Sequence, residues 1–489
     1  MQVVVIPNMK IGRNDQCHCK SGKKYKKCCL EKDEKRARLK QRVMKISRRD
    51  FISGPYKKCP NTECLTEDAF GVFTPMGGSR GYSRECIKCG HEEGFSFPNI
   101  KKKIIYLDQF VISNLIKLLD KSHPSHAKIK ADPFWTNLFI KLELASKSQA
   151  IVCPDSFYHK DESLVGNIDF KLMKRVYEHF SSGKTLYPSL IIEKNQIVHH
   201  FEGWLENKKV EFEFNPKYIA FEQDLHTWSV GLRISVGGNP YPGQIKNLQT
   251  TNAITKEQLR ETWTRWQSET SFGFVERVKE ETSGLWKGMT SAAKKFTERR
   301  NLAMKKMTMG EDYDMELDDF MPPMSDDIFE ELMRIARKKN IPQEKMPEII
   351  VKYFNDIDAL LEIPYIRISS VMFAGWARRA ALGKKDPPKS TADVQFIASY
   401  LPYCDALFVD KESASMLKEF PQNTPAYLRL KEFPAKVFSL NNRDEFLAYL
   451  DQLVSGISSE QIAILKDMGG DDYAKPYWSI IEHEKRERD

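Results

Sequence analysis

The stretch Lys101-Lys102-Lys103-Ile104-Ile105-Tyr106-Leu107-Asp108 combines a short apolar segment with an aspartate at its end. Much later in the chain, Ala406-Leu407-Phe408-Val409-Asp410 repeats this order. Continuous apolar runs of this length are typical of strands that are buried on both faces of a parallel sheet. A helix-like segment follows each of them. The pattern therefore predicts an α/β fold with a parallel sheet flanked by helices.

Further acidic residues lie beside elements of this predicted sheet. The apolar segment 150–155 is interpreted as another buried strand, and it ends at Asp155, with Glu162 shortly after it. A helix is predicted to begin near Thr391, with Asp393 in its first turn. Ligands of open α/β sheets gather beyond the carboxyl ends of the strands, so we expect acids from these segments to meet there.

Carboxylates that meet at one sheet edge repel each other unless a cation neutralises them. An oxygen-only set suits Mg²⁺ or Mn²⁺, and such ions can activate water for an in-line attack on phosphate. A simpler interpretation stays open for each acid alone. Asp108 and Asp410 could be helix N-caps, and Asp393 could interact with a helix dipole.

The order of these segments resembles the PIN-domain superfamily of metal-dependent nucleases, which cut mostly single-stranded RNA. The matching segments are Tyr106-Leu107-Asp108, Pro154-Asp155-Ser156 with His159 and Glu162, Asp393, and Cys404 to Asp410. The resemblance implies that the metal ions are held by Asp108, Glu162, Asp393 and Asp410. Asp405 is a possible supporting acid, and Asp155 competes with Glu162 for the second position. The distance between the opening and closing motifs requires a large insertion.

A cysteine cluster lies near the N-terminus, at Cys17, Cys19, Cys28 and Cys29, with the spacing C-x-C-x8-C-C. Two close pairs separated by a Ser-Gly turn can surround one tetrahedral zinc ion. Zinc would also supply folding free energy that so short a segment cannot obtain from a core. The segment resembles the SEC-C motif, a zinc-binding element that serves elsewhere as a docking element for proteins or nucleic acid.

A second cluster consists of Cys59, Cys64, Cys86 and Cys89. Its two pairs, C-x4-C and C-x2-C, are typical of a zinc ribbon, and His91 could replace a cysteine as a ligand. With four protein ligands and no open position, zinc at either cluster is expected to be structural.

The positive charge is concentrated at the N-terminus. Residues 1–50 contain 16 Lys and Arg against 5 Asp and Glu, whereas the whole chain has a net charge of +9. This asymmetry predicts a polyanionic partner, with nucleic acid the first candidate and RNA the one that the PIN resemblance implies, although a solvated basic tail would look the same. We find neither an apolar run long enough for a membrane helix nor a secretory signal, so a cytoplasmic protein without a membrane partner is expected.

The predicted organisation has six parts: the SEC-C motif with a basic helix at 1–50, a zinc-ribbon-like module at 51–100, the PIN-like domain at 101–198 and 346–442, a mainly helical insertion at 199–345, and a helical tail at 443–489. The predicted function is a metal-dependent nuclease, an endoribonuclease by resemblance, that is targeted by its zinc modules. The alternative is a non-catalytic adaptor in which a PIN-like scaffold and the zinc modules bind nucleic acid, protein or a ribosome.

Overall fold

The structure, a computed structural model, describes residues 13–19, 21–33, 48–74, 80–165, 170–221, 224–230, 242–309, 323–388 and 390–482. It divides into two compact units. The first contains Met1–Phe97, Val230–Arg233 and Asp467–Gly470, and the second contains the rest. The division after Phe97 lies near the predicted boundary at residue 100. Most of the predicted basic helix after the SEC-C motif lies outside the described residues.

The first unit contains a four-stranded antiparallel sheet in the order β1-β2-β3-β4. Its strands are β1 (Ser53–Lys57), β2 (Phe70–Phe73), β3 (Gly81–Cys86) and β4 (Glu92–Ser96). The small core under this sheet is formed by Cys59, Ala69, Phe70 and Cys86. Since two of these four residues are cysteines of the second cluster, the apolar core alone is small for a stable module.

The second unit is built on a four-stranded sheet in the order β10-β9-β5-β6, and every neighbouring pair is parallel. Its strands are β5 (Lys103–Leu107), β6 (Ile151–Val152), β9 (Ala406–Phe408) and β10 (Lys436–Phe438). The predicted strand at 150–155 is therefore shorter than expected. Asp155 lies beyond it in β7 (Asp155–Ser156), which pairs with β8 (Thr185–Leu186) in a separate small sheet.

Alternate residues of β5 enter two different hydrophobic cores. Ile104 and Tyr106 belong to one core, whereas Ile105 and Leu107 belong to the other. Successive side chains of a strand point to opposite faces, so both faces of this strand are covered. This explains why the sequence of β5 is apolar throughout instead of alternating with polar residues.

Helices surround this sheet. Their bounds are α1 (Gln109–Leu119), α2 (His126–Ala131), α3 (Pro133–Lys147), α4 (Phe157–Val165), α5 (Phe170–Ser181), α6 (Ser189–Leu205), α7 (Pro242–Ser268), α8 (Phe274–Met309), α9 (Met324–Lys338), α10 (Met346–Asn355), α11 (Ile357–Leu360), α12 (Pro364–Ala381), α13 (Ala392–Tyr400), α14 (Lys411–Met416), α15 (Arg443–Ser455) and α16 (Ser459–Gly469).

The long helices α7 and α8 of the insertion pack on α12. Trp263 of α7 and Val278 of α8 belong to the same core as Tyr106 of the central strand. The insertion therefore shares a continuous apolar core with the sheet and is not a separate body. In the described part of the chain, no helix is long and apolar enough to cross a membrane.

Candidate functional site

The first cysteine cluster is closed by a short turn. An antiparallel bridge joins Gln16 to Lys24, and the Cys17 N–H donates to the carbonyl oxygen of Lys23 (2.9 Å). Gly22 has a φ of +70°, a backbone conformation that favours glycine, and it lets the chain reverse between the two cysteine pairs. The four sulfurs, those of Cys17, Cys19, Cys28 and Cys29, lie within 4.8 Å of one another.

The sulfur–sulfur distances in this cluster fit a metal ion and not disulfides. They are 3.4 Å for Cys19–Cys17, 3.3 Å for Cys19–Cys28 and 3.8 Å for Cys28–Cys29. A disulfide needs about 2.05 Å. Four sulfurs at about 2.3 Å from a tetrahedral zinc ion are about 3.8 Å apart. The cluster therefore has the dimensions of a zinc–cysteine site.

The second cluster is built on a different scaffold. The Cys86 N–H donates to the His91 carbonyl (2.8 Å) and the Gly90 N–H to the Cys86 carbonyl (2.9 Å), which forms a tight turn at Gly90. The sulfurs of Cys59 and Cys89 are 3.6 Å apart. Cys64 and Cys86 complete the group of four, again within 4.8 Å. His91 contacts Glu93 instead (3.2 Å), so the structure brings four cysteines together without the histidine.

The thiols of both clusters have strongly divergent pKa values. Contacts with Ser21 and other thiols lower the pKa of Cys19 to about 6, whereas contacts with Cys17 and burial raise the pKa of Cys29 to about 12. Thr66 lowers the pKa of Cys64 to about 6, and burial raises that of Cys59 to about 12. Four thiolates cannot coexist here without a cation, and the positive charge of a bound zinc ion would stabilise all four in their deprotonated forms.

The acidic group is the third cluster. Carboxylate oxygens of Asp108, Asp393 and Asp410 lie within 4.8 Å of one another. Asp108 follows β5, Asp410 follows β9, and Asp393 lies in the first turn of α13. In the register of the two neighbouring strands, Leu107 faces Phe408, so both strands end at the same level. The adjacent strand ends place Asp108 beside Asp410, as the sequence predicts.

Capping accounts for only part of this arrangement. Asp410 caps α14, since its Oδ1 accepts hydrogen bonds from the N–H groups of Glu412 (2.7 Å) and Ser413 (3.1 Å). Its Oδ2 is buried and has no hydrogen-bond partner within the described residues. Asp108 occupies the N-cap position of α1. Its side chain makes no capping hydrogen bond of standard geometry, although the N–H groups of Gln109 and Phe110 lie close enough to oppose part of the rise in its pKa. Carboxylate oxygens are therefore available to a ligand at this edge.

Burial and mutual repulsion shift Asp108, Glu162 and Asp393 towards their neutral forms. Burial, together with the charges of Glu162 and Asp410, raises the pKa of Asp108 to about 8. Burial and the charge of Asp393 raise the pKa of Glu162 to about 8. The pKa of Asp393 is also well above its ordinary value, because of burial and then the charge of Asp108. A divalent cation among these groups would reverse the shifts.

Glu162 lies on α4, next to the group of three. With its side-chain amide turned so that the nitrogen faces Glu162, which satisfies both of its polar atoms, Gln109 donates a hydrogen bond to the Glu162 carboxylate. The charges of Glu162 and Asp108 also interact, as the raised pKa of Asp108 shows. Asp155, the competing residue, is in the separate small sheet, where its N–H donates to the Lys184 carbonyl (3.0 Å). It is not one of the three acids that converge.

His159 connects α4 to the end of β5. Its Nδ1 accepts a hydrogen bond from the Ser156 N–H (3.2 Å), so its Nε2 donates to the Leu107 carbonyl (2.8 Å). The imidazole is stacked between Tyr106 and Tyr177, with ring centroids at 4.8 Å and 4.2 Å. Burial lowers its pKa to about 3. His159 is therefore a neutral residue that fixes the position of α4 and Asp108.

Asp405 lies at the opposite edge of the sheet. It precedes β9, accepts a hydrogen bond from the Ile104 N–H (2.9 Å) and forms an ion pair with Lys103 (2.7 Å). These partners are at the start of β5, whereas the acids follow the strand ends. The expected supporting acid is thus separated from the group by the length of the strands, and its contacts join β5 to β9.

An ion-pair group beside the acids was not predicted. Glu412, two residues after Asp410, forms ion pairs with Arg379 (3.3 Å) and Lys384. Arg379 also donates to Ser415 Oγ (2.7 Å). The sequence contains a visible signal, because Arg378, Arg379, Lys384 and Lys385 occur within eight residues without an acid, but it does not reveal their contact with α14.

Comparison with known families identifies one segment. Residues 13–31 match the SEC-C motif. This match contains all four cysteines of the first cluster and agrees with its geometry, and cysteine clusters of this kind bind zinc. No curated protein and no solved structure matches the chain. The comparisons do not support a PIN-like domain, so that resemblance stays a prediction from the sequence.

Proposed function

We propose that the chain is a metal-dependent nuclease that hydrolyses phosphodiester bonds, with single-stranded RNA as its substrate. One observation supports this most directly. Three carboxylates from separate segments converge at the carboxyl edge of a parallel sheet, and burial and repulsion raise the pKa values of two of them, Asp108 and Asp393. A protein gains no stability from such a group alone, so a cationic ligand is the simplest reason for it.

In this proposal Asp108, Asp393 and Asp410 hold Mg²⁺ or Mn²⁺ directly. The buried, unpartnered Oδ2 of Asp410 fits this role, and hard oxygen ligands suit both ions. The bound metal would activate water and stabilise the charge that develops on the phosphate. Glu162 is adjacent and is the better candidate than Asp155 for the fourth acid, either as a ligand or through an ordered water.

The zinc modules have a different task in this proposal. Both clusters have four sulfur ligands and no open position, so they stabilise their modules and do not act on substrate. The first is a SEC-C motif, and the basic excess of the chain lies around it. We therefore assign it the recruitment of RNA or of an RNA-bound partner such as a ribosome.

Cleavage of a labelled single-stranded RNA by the purified full-length chain tests the proposal. Cleavage is expected with Mn²⁺ or Mg²⁺ and not in a buffer free of divalent cations. Asp393→Asn should lower the rate by roughly a hundredfold or more, because an in-line displacement depends on the metal. The matched control is Asp405→Asn, which removes an acid at the other edge of the sheet. Equal cleavage by Asp393→Asn and the unsubstituted chain would contradict the proposal.

The second candidate function is a non-catalytic adaptor. The SEC-C match favours it, because this motif serves elsewhere as a docking element for proteins or nucleic acid. The adaptor would bind RNA or protein but would neither cut RNA nor bind Mn²⁺. Isothermal titration with Mn²⁺ separates the two functions, since a nuclease requires a Mn²⁺ site that Asp393→Asn removes.

A further inference from the structure

The Arg379–Glu412–Lys384 group lies next to the acids through a direct chain of contacts. The Glu412 N–H donates to Oδ1 of Asp410 (2.7 Å), and the Glu412 carboxylate pairs with both cations. Glu412 thus connects the two cations, Arg379 and Lys384, to Asp410, a proposed metal ligand. They lie on a different element, α12 and the turn that follows it.

This turn is held in place by backbone contacts. The Lys384 N–H donates to the Arg379 carbonyl (3.0 Å), and Gly383 has a φ of +91°. From α7, Trp263 Nε1 (3.2 Å) and Gln267 (3.0 Å) both donate to the Lys384 carbonyl. The ammonium group of Lys384 therefore extends from a fixed backbone, which lowers the entropy lost when it binds a ligand.

The charges of the group are not balanced. One carboxylate, that of Glu412, lies between two cations, and Arg378 and Lys385 add two exposed cations to the same segment. Two other acids lie nearby: Glu419 lines a depression together with Arg378 and Arg379, and the exposed Asp386 directly follows Lys385, which leaves four cations against three acids. Arg379 is 26% and Lys384 36% exposed, so both remain accessible to an external anion.

Arg379 and Lys384 also have more N–H donors than their contacts with the protein use. A guanidinium has five N–H donors in a planar fork and an ammonium has three, and this arrangement suits phosphate oxygens. Within the described part of the chain, the side chains of Arg379 and Lys384 form ion pairs and hydrogen bonds with two side chains, those of Glu412 and Ser415. An anion beside the acids would meet donors that the protein has already oriented.

We propose that Arg379 and Lys384 form a phosphate-binding subsite for the backbone of single-stranded RNA, next to the bond that is cut. This inference rests on the proposed nuclease function, since it names the residues that hold the substrate of that site. Glu412 orients the two cations. The acids then act on one phosphate while the cations bind a neighbouring one.

The test measures binding separately from cleavage. Fluorescence anisotropy of a short, labelled oligouridylate is recorded with the full-length chain in divalent-free buffer over a series of NaCl concentrations. Each phosphate contact to a single strand adds about 0.7 to the slope of log K against log salt, so Arg379→Gln/Lys384→Gln should reduce the slope by about 1.4. Lys384→Gln alone, at a partly exposed position, should reduce it by about 0.7.

The matched control is Arg334→Gln/Lys338→Gln on α9. These cations are also paired with glutamates, Arg334 with Glu331 (2.7 Å) and Lys338 with Glu202 (3.8 Å), so the control removes the same charge. It should leave the slope unchanged. Lys384→Arg keeps the charge and should restore binding. Equal slopes for the test and control variants would overturn the subsite, and so would failure of the unsubstituted chain to bind the oligomer at low salt.

Cleavage kinetics give the second readout. With Mn²⁺, loss of a substrate contact that is kept in the transition state should raise KM with little change in kcat. A fall in kcat with unchanged KM would instead contradict a binding role. If the unsubstituted chain binds the oligomer but does not cut it, the proposed nuclease function fails, while the slopes still decide whether the subsite exists.

Discussion

Replacement of Asp108 by asparagine tests the acidic group through stability and not through activity. The raised pKa of Asp108, about 8 against an ordinary value of 3.8, means that the folded chain keeps this proton over a pH range in which the unfolded chain has released it. Without a metal ion, Asp108 therefore makes the folded state progressively less stable as pH rises from about 4 to 8. Asparagine has the same shape and no charge, so this loss should disappear.

The size of the effect follows from the shift. One pKa unit corresponds to about 1.36 kcal/mol, so the full shift sets an upper limit of about 5–6 kcal/mol at pH 8. When Asp108 is charged, water can enter the site and weaken the repulsion between the acids. We therefore expect Asp108→Asn to raise the free energy of unfolding at pH 8 by about 2–3 kcal/mol. Below pH 4 both chains hold neutral groups here, and the gain should vanish.

Mn²⁺ should reverse the order of stability. An ion at a thousandfold excess over its Kd stabilises the folded chain by about 4.1 kcal/mol, which exceeds the gain from the substitution, and the variant, with one ligand fewer, should gain much less. The assay is thermal unfolding at pH 5 and pH 8, in divalent-free buffer and with added MnCl₂. At pH 8 the variant should have the higher Tm in divalent-free buffer, and the unsubstituted chain should have the higher Tm with MnCl₂.

Asp405→Asn is the control for this experiment. Its carboxylate accepts a hydrogen bond from the Ile104 N–H and pairs with Lys103, so its removal should destabilise the chain by about 1–3 kcal/mol with or without Mn²⁺. The reasoning is refuted if Asp108→Asn is less stable than the unsubstituted chain at pH 8 without divalent ions. Equal stabilisation of both chains by Mn²⁺ would refute it as well.

Other expected outcomes concern the zinc modules and His159. Cys19→Ser should lose one zinc ion, measured by elemental analysis, and unfold the first module while Mn²⁺ binding at the acids persists; full zinc content would show that the cluster is misinterpreted. Cys64→Ser should lose one zinc ion from the second module and leave the SEC-C site loaded. His159→Phe keeps an aromatic ring in the stack but removes two hydrogen bonds, at a cost of about 2–3 kcal/mol at pH 7. Because burial lowers the pKa of His159 to about 3, its stabilising effect is complete above about pH 6.5 and is lost as pH falls towards 3. The difference in Tm between the two chains should therefore shrink from pH 7 to pH 5, and a constant difference would argue against a buried neutral imidazole.

The sequence was most informative where one physical requirement dominates. Continuous burial of β5 and β9 leaves apolar runs, and residues directly after such strands must share an edge, so Asp108 and Asp410 were predictable. Cysteine spacing was similarly decisive, because few backbone paths connect four sulfurs to one ion.

Other features depend on contacts that no local pattern contains. Asp405 precedes β9, whereas Asp410 follows it. This difference alone would have been enough to predict that Asp405 lies at the other edge of the sheet. The strand at 150–155 is broken by Pro154, so Asp155 was carried into another sheet. The pairing of Glu412 with Arg379 and Lys384 requires knowledge of how α12 packs beside α14, which the sequence does not provide.

The hydrogen bond between Ile104 and Asp405 spans 301 residues, and the acids of the same two strands are equally far apart along the chain. A ribosome adds about 5–20 residues per second, so roughly 15–60 seconds separate the synthesis of Asp108 from that of Asp410. Throughout that interval the nascent chain has only part of its acidic group. An enzyme that cuts RNA would in this way stay harmless to the message from which it is being translated, until Asp410 has been made.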